Sequence, residues 1–278
     1  MKTSLNVHAV QSLEAAALQP YRTLRRPMDH MREGIFVAEG EKVVRRLLAS
    51  ELSVVSMLMT QEWFDRLFDV ESGAVGKRFE VYVAEKKIVE AIVGYNLHQG
   101  IMAVGKVPEP KSLETTIASI ETPHFLVALD GLVNAENVGV VVRNCAAFGV
   151  GAVIAGETSS SPYLRRAVRN SMGTVFQLPI IHSENLRETL QGLHRSHNID
   201  IVAAHVRATS TIDKSDFTKS TCIVLGHEGE GISQNILDIC TAQVAIPMMN
   251  GTDSLNVASA SAAFLYEVRR QRSITRSS

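Results

Sequence analysis

Three polar loops in the second half of the chain carry the residues best suited to chemistry. The first runs Asp130-Gly131-Leu132-Val133-Asn134-Ala135-Glu136-Asn137-Val138-Gly139 and leads on to Arg143. Asn134 or Asn137 can cap the helix that follows, because a side-chain oxygen there satisfies free backbone N–H groups. Capping does not account for Arg143, which lies in an otherwise apolar helical stretch. A guanidinium is costly to bury without a partner, so it must reach the surface or face an anion.

The second loop follows an apolar run and reads Leu225-Gly226-His227-Glu228-Gly229-Glu230-Gly231-Ile232-Ser233. Its glycines let backbone approach a ligand closely. The spacing is GxxGxG, not the dinucleotide GxGxxG, and no GKS or GKT follows, which disfavours a nicotinamide enzyme. Glu228 and Glu230 would repel a pyrophosphate but tolerate a neutral nucleoside or a cationic sulfonium. A glycine-rich turn with solvated glutamates is the plain alternative. The third loop, Ile246-Pro247-Met248-Met249-Asn250-Gly251-Thr252-Asp253-Ser254-Leu255-Asn256, ends a strand and opens the last helix. Asp253 or Ser254 is expected as its cap, with Asn256 in the first turn. The small residues from Ala258 to Ala263 permit close packing, of which ordinary helix contact is the plain reading.

The elements that must position these loops form a strong βαβ pattern. Phe125 to Leu129, Val150 to Ala155, Ile199 to Ala204 and Cys222 to Leu225 read as short buried strands. Val138 to Phe148, stopped by Gly149, and Leu255 to Val268 read as helices, the latter running into a basic tail. Apolar strands separated by helices indicate a parallel sheet covered on both faces. Its ligands bind beyond the carboxyl ends of the strands, where the three loops fall.

The first hundred residues read as a smaller α/β unit. An opening helix is expected around Leu13, Ala16, Ala17 and Leu18, with a basic stretch after it. Phe36-Val37-Ala38 runs into Glu39-Gly40 and a helical pattern from Glu41 to Leu48. Strands follow at Val54 to Met59, Glu80 to Val83 and Ile101 to Val104, with helices at Trp63 to Phe68 and Lys86 to Val93. The mixed-charge, two-proline run Val107 to Ser112 breaks this periodicity. The expected division is therefore 1–107, a linker over 108–121, and a second domain over 122–278.

Composition narrows the function classes. The net charge of −1 gives no overall basic field, which disfavours a coat protein indifferent to RNA sequence. Three widely spaced cysteines, Cys145, Cys222 and Cys240, suggest neither a disulfide framework nor a zinc site. His194 and His197 have metal-compatible spacing but no companion ligands, so no metal is expected. No apolar run is long enough for a membrane span, and Met1 to Gln11 lacks a signal-peptide layout. A cytoplasmic protein is expected.

The three loops, in this order and spacing, resemble the signature motifs of the SpoU/TrmH branch of the SPOUT RNA methyltransferases. Asn137-Val138-Gly139 with Arg143 resembles the first, Leu225 to Ile232 the second, and Ile246-Pro247-Met248 through Ser254-Leu255-Asn256-Val257-Ala258 the third. The match covers about residues 124 to 270. Phe36 to Gly40 and Gln99 to Val104 resemble, less specifically, the substrate-binding domain of many members. Two departures are Ala135, where the family often has proline, and Asn144, where it usually has a small or threonine-like residue.

The resemblance implies an α/β fold with a deep C-terminal trefoil knot, a smaller N-terminal α/β RNA-binding domain, and a homodimer whose subunits share the site. It implies S-adenosylmethionine as cofactor, held by Leu225, Gly226, Gly229, Ile246, Ser254 and Leu255. It also implies transfer of the methyl group to a ribose 2′-hydroxyl in structured RNA, ribosomal RNA preferred and transfer RNA possible. Arg143 is then the main catalytic residue, binding RNA phosphate and stabilising the developing alkoxide, with Asn137, Glu228, Ser254 and Asn256 orienting it and the ribose. Cationic patches for RNA are offered by Arg22, Arg25 and Arg26, and by Arg165 and Arg169 on one helical face, against the plain reading of solvated surface. Aromatic residues make up 5% of the chain, so shape and phosphate contacts suit RNA recognition better than base stacking. Base methylation and a catalytically silent RNA-binding factor are the rival readings. Retention of the motif side chains speaks against silence.

Overall fold

The computed structural model describes residues 6–12, 14–68, 78–93 and 100–275; Leu13 and Gln99 lie outside them. The chain divides into two compact units, one running to Glu109 and including Tyr163–Phe176, the other comprising Pro110–Pro162 and Gln177 onward.

In the first unit, β1 (Asn6–Val10), β2 (Ile35–Glu39), β3 (Val54–Met59), β4 (Glu80–Ala84) and β5 (Ile101–Lys106) form one sheet in the order β1-β4-β3-β5-β2. The β1, β4 and β3 pairs are parallel, while β5 runs antiparallel to both β3 and β2. β1 escapes sequence reading because four of its five residues are exposed, so it shows no buried face. The opening helix is shorter than expected: a 3-10 turn at Ala16–Leu18 runs into α1 (Gln19–Arg22), and α2 begins at Pro27 and ends at Arg32. Pro20 and Pro27 each start a new helical segment, because proline lacks the N–H that a continuing helix needs. Leu18 and Tyr21 still reach the core beside Val37, Leu58, Val89 and Met102. The buried Tyr21 hydroxyl meets Ser56 Oγ at 2.8 Å.

α3 (Glu41–Ala49) buries Val43, Val44, Leu47 and Leu48 on one face. Gly40, at φ 88°, makes the turn into it. α4 (Gln61–Phe68) and α5 (Lys86–Val93) agree with the sequence reading. The inserted segment Tyr163–Phe176 packs in this unit through aromatic rings, Phe36 lying 5.7 Å from Tyr163 and 5.1 Å from Phe176.

The second unit contains α6 (Leu113–Ala118) within the stretch expected to be linker. Ser112 Oγ caps it by accepting from Thr115 N–H at 3.1 Å, and Ile117 is buried in the main core. Periodicity fails only around the two prolines. After α6 come β6 (Phe125–Asp130), α7 (Ala135–Phe148) and β7 (Ala152–Ala155). α8 (Arg165–Asn170) belongs to the first unit. The second unit continues with β8 (Ile180–His182), α9 (Leu186–His197), β9 (Asp200–Ala204), β10 (Ser210–Thr211), β11 (Thr221–Gly226), α10 (Gln234–Leu237), β12 (Ala242–Ala245) and α11 (Val257–Thr275).

Among the described residues this unit holds a seven-stranded sheet in the order β10-β12-β9-β11-β6-β7-β8, every pair parallel. β6, β7, β9 and β11 are buried along most of their length, as their apolar runs require, while β8, β10 and β12 are partly exposed. Leu126, Ala128, Ile154, Ile201 and Val224 pack against Leu186, Leu190 and Leu193 of α9. Gly149, at φ 77°, ends α7 as expected.

α11 begins two residues later and runs farther than its apolar pattern suggests. Arg272, expected in the basic tail that follows the apolar helix, is itself helical. Its guanidinium donates to the carbonyls of Pro123, His124, Phe217 and Lys219. No helix among the described residues is long and apolar enough to cross a membrane.

Candidate active site

β6 and β11 lie side by side, with Leu129 opposite Leu225 and Asp130 opposite Gly226. After β6 the chain moves to β7 and β8 on one side, whereas β9 and β12 lie beyond β11 on the other. This is a topological switch point, where loops leaving neighbouring strands diverge and open a crevice. The first two polar loops leave the sheet there.

Each loop is fixed locally. Asn134 is the cap of α7, its Oδ1 accepting from Glu136 and Asn137 N–H. That leaves the Asn137 side chain free for another partner. In the second loop, His227 and Gly231 exchange two backbone hydrogen bonds of 2.9 Å, closing a tight hairpin. Gly226 must be glycine, since an added Cβ would lie 2.4 Å from backbone atoms of Gly231 and Ile232. The Asp130 carboxylate anchors the far end, accepting from both N–H and Oγ of Ser233 at 2.7 Å.

The loops then join through side chains. Glu228 Oε1 accepts from Asn137 Nδ2 at 2.9 Å and from Asn134 N–H at 3.2 Å. Asn137 Oδ1 accepts from Asn256 Nδ2 at 3.3 Å, and Asn256 Oδ1 accepts from Ala258 N–H at 2.8 Å. Asn256 therefore caps α11, in place of the Asp253 or Ser254 expected from sequence. Partial desolvation pushes the Glu228 carboxyl upward, but the donors from Asn137 and the backbone outweigh it and hold it below the usual glutamate range. It is a carboxylate at neutral pH.

Of the expected catalytic residues, Asn137, Glu228 and Asn256 form this chain. Arg143 and Ser254 do not enter it: both are exposed, and neither bonds to any described residue. Arg143 lies six positions past Asn137, which turns it about 240° around α7, onto the solvent face with Glu136 and Ala147. Of the expected cofactor residues, Gly226 and Gly229 lie in the hairpin, Ile246 is half-buried, and Leu255 is 43% exposed. Leu225 is buried. At 2% exposure its side chain belongs to the core, so only its main chain can face a ligand. Val133 and Met249, missed in the sequence, are also exposed on these loops.

The Asn144 departure has a packing role, its Nδ2 donating to Ala258 O and Ser261 Oγ, both at 2.9 Å, and so tying α7 to α11. Burial pushes Cys145 and Cys222 far above the usual thiol range and Cys240 up to about 11, so none of the three is a ready nucleophile. Among the described residues no group of three or more His, Cys, Asp or Glu could hold a metal ion.

The cationic patches differ in character. Arg25 and Arg26 are exposed, and Arg22 pairs with the solvated Glu14 at 2.9 Å. Arg165, expected to meet RNA, instead grips the nearly buried Glu39 through Nε at 3.1 Å and Nη2 at 2.8 Å. Arg169 stands 3.7 Å from the same carboxylate but stays 58% exposed.

Comparison with known proteins identifies relatives of the chain. Residues 124–266 match the profile of the SpoU rRNA methylase family. A Mycobacterium tuberculosis protein named as an uncharacterized tRNA/rRNA methyltransferase is 32% identical over 96% of this chain and 93% of its own length. The Yersinia pestis 23S rRNA (guanosine-2′-O-)-methyltransferase RlmB is 34% identical over 70% of this chain and 79% of its own. A crystal structure of an AdoMet-bound rRNA methyltransferase from Sinorhizobium meliloti superimposes with a TM-score of 0.83, covering 95% of this chain and 98% of that one. At 23% identity this shows a shared fold.

Proposed function

The chain belongs to the SpoU rRNA methylase family, and from that membership we propose that it methylates a ribose 2′-hydroxyl of RNA with S-adenosylmethionine. Ribosomal RNA is the preferred substrate, supported by the family and by the likeness to RlmB. The observation that carries the reading is the hydrogen-bonded chain Glu228–Asn137–Asn256, which gathers all three loops at the carboxyl end of a parallel sheet.

When bound, S-adenosylmethionine supplies an electrophilic methyl group. The protein's part is alignment and stabilisation of charge. The backbone of Leu225, Gly226 and Gly229 and the side chains of Ile246 and Leu255 hold the cofactor. Glu228, a carboxylate kept ionised by its donors, favours the sulfonium charge and fixes Asn137. Asn137, Ser254 and Asn256 orient the ribose. Arginine stays protonated and cannot act as a simple base, so Arg143 binds the adjacent RNA phosphate and stabilises the ribose oxygen as its proton passes to an oxygen of that phosphate.

The exposed, unpartnered position of Arg143 supports a homodimer in which each Arg143 completes the partner's cleft. Tyr266, 58% exposed on α11, extends the apolar surface available for that contact. The C-terminal segment is proposed to form the trefoil knot of the family, and the protein to act in the cytoplasm. Exposed arginines of the first unit, Arg22, Arg25 and Arg26, contact RNA backbone, with Arg169 as a further contact. Mapping 2′-O-methyl positions in total RNA with and without the protein tests the reading. A site that appears only with the protein supports it, whereas new methyl groups on bases alone would overturn it.

A further inference from the structure

The imidazole of His227 sits at the centre of the second loop and has a bonding pattern open only to a neutral ring. Its Nδ1 accepts two backbone N–H groups, from Gly229 at 3.0 Å and from Glu230 at 3.1 Å. A nitrogen that accepts carries no proton. The same loop is closed by the His227–Gly231 backbone pair, so hairpin and ring together satisfy the N–H groups of His227, Gly229, Glu230 and Gly231. The hairpin also presents Glu228 to Asn137 and Asn134.

We infer that His227 is a positioning residue whose Nδ1 lone pair holds the cofactor loop in its binding shape, so that protonating the ring releases the loop. An imidazolium has a donor at Nδ1 and would oppose both N–H groups. An amide in the same place would accept the same N–H groups without a proton to take up. The charged groups on the elements around the ring are Glu228 and Glu230 on its own loop, Asp130 at the end of β6, Glu136 in the first turn of α7 and Glu157 after β7. Asp130 is engaged by Ser233, Glu157 by Leu186 N–H and Glu228 by Asn137. On the facing turn, a Cβ placed on Gly131 would lie 3.8 Å from the His227 Cβ, in ordinary contact.

The inference rests on the S-adenosylmethionine reading of this loop. It is tested by titrating that compound into the full chain calorimetrically at several pH values, for the wild type, His227→Asn and His227→Ala. Asparagine offers an oxygen acceptor to the same N–H groups without titrating. Wild-type affinity is expected to fall at least about ten-fold from about pH 8 to about pH 5.5, while His227→Asn falls by less than about three-fold and His227→Ala is weak throughout. Equal pH dependence in wild type and His227→Asn, or none in the wild type, would overturn the inference. Absence of binding by the wild type at about pH 8 would instead overturn the cofactor reading. Should the variants fail to fold, nitrogen NMR of the unliganded wild type decides. An unprotonated accepting Nδ1 whose titration moves the Gly229 and Glu230 amide signals supports the role, and amides indifferent to that titration refute it.

Discussion

Asn137 donates its side-chain amide to Glu228 over 2.9 Å, although 91 residues separate them in the chain. Asparagine suits this place because it donates and accepts at once, passing the link on to Asn256. Asn137→Asp would set a second carboxylate against Glu228. Turnover is expected to fall by about 100-fold or more, because the like charges separate the two loops. Methyl incorporation into RNA checks this, with circular dichroism showing whether the fold survives.

The Glu228 carboxyl is depressed, so its contribution to stability has a definite sign with pH. A group whose folded value lies below its unfolded one stabilises above the ordinary glutamate range, and that contribution is lost as pH falls through the folded value. Wild type minus Glu228→Gln stability is therefore expected to be constant near neutrality and to shrink below about pH 4.3. Chemical denaturation at several pH values measures it. A difference that grows on acidification would contradict the direction.

Arg143 is exposed and bonds to no described residue, so its removal leaves no buried charge. Arg143→Ala should keep the wild-type melting temperature and cofactor affinity while turnover drops by about 100- to 1,000-fold, the usual cost of one lost donor to developing charge. Mixing Arg143→Ala with Asn256→Ala protein should restore part of the activity if each cleft draws on two protomers. No recovery would favour a site built within one chain.

Arg165 and Arg25 are both arginines on the first unit, yet they should behave differently. Arg165→Ala removes the closer guanidinium from Glu39, whose side chain is only 9% exposed and which keeps Arg169 at 3.7 Å, and should cost about 2–3 kcal/mol. Arg25→Ala should leave stability unchanged and lower the salt dependence of RNA binding by about one counterion. Thermal melts and binding titrations at two salt concentrations separate the cases.

Gly226→Ala places a Cβ 2.4 Å from the backbone of Gly231 and Ile232. Backbone cannot rotate aside as a side chain can, so the hairpin must open. A stability loss of about 1–3 kcal/mol is expected, together with loss of cofactor affinity. Calorimetry on the purified variant gives both.

Much of the framework was legible before any coordinates. The strands Phe125–Asp130 and Thr221–Gly226 are built on the apolar runs Phe125 to Leu129 and Cys222 to Leu225, and the end of α7 is written in Gly149. These are local signals, set by periodicity and by glycine's access to positive φ. β1 and β8 carried no such signal, one being exposed and the other three residues long. The two helix caps show the limit well. Asn134, Asp253 and Ser254 are all competent caps by type, yet Asn134 and Asn256 hold the positions. The competing asparagine, Asn137, was drawn off by Glu228 from a distant loop.

Residue type and spacing thus determined which loops matter, because a helix start, a glycine turn and a polar strand end each leave a local trace. Only the tertiary structure decided which side chains meet there. It joined Asn137, Glu228 and Asn256, turned Arg143 outward, buried Leu225, and gave Arg165 to Glu39. Those outcomes depend on strand order and on charges brought together from distant parts of the chain, and neither leaves a mark within a window of sequence.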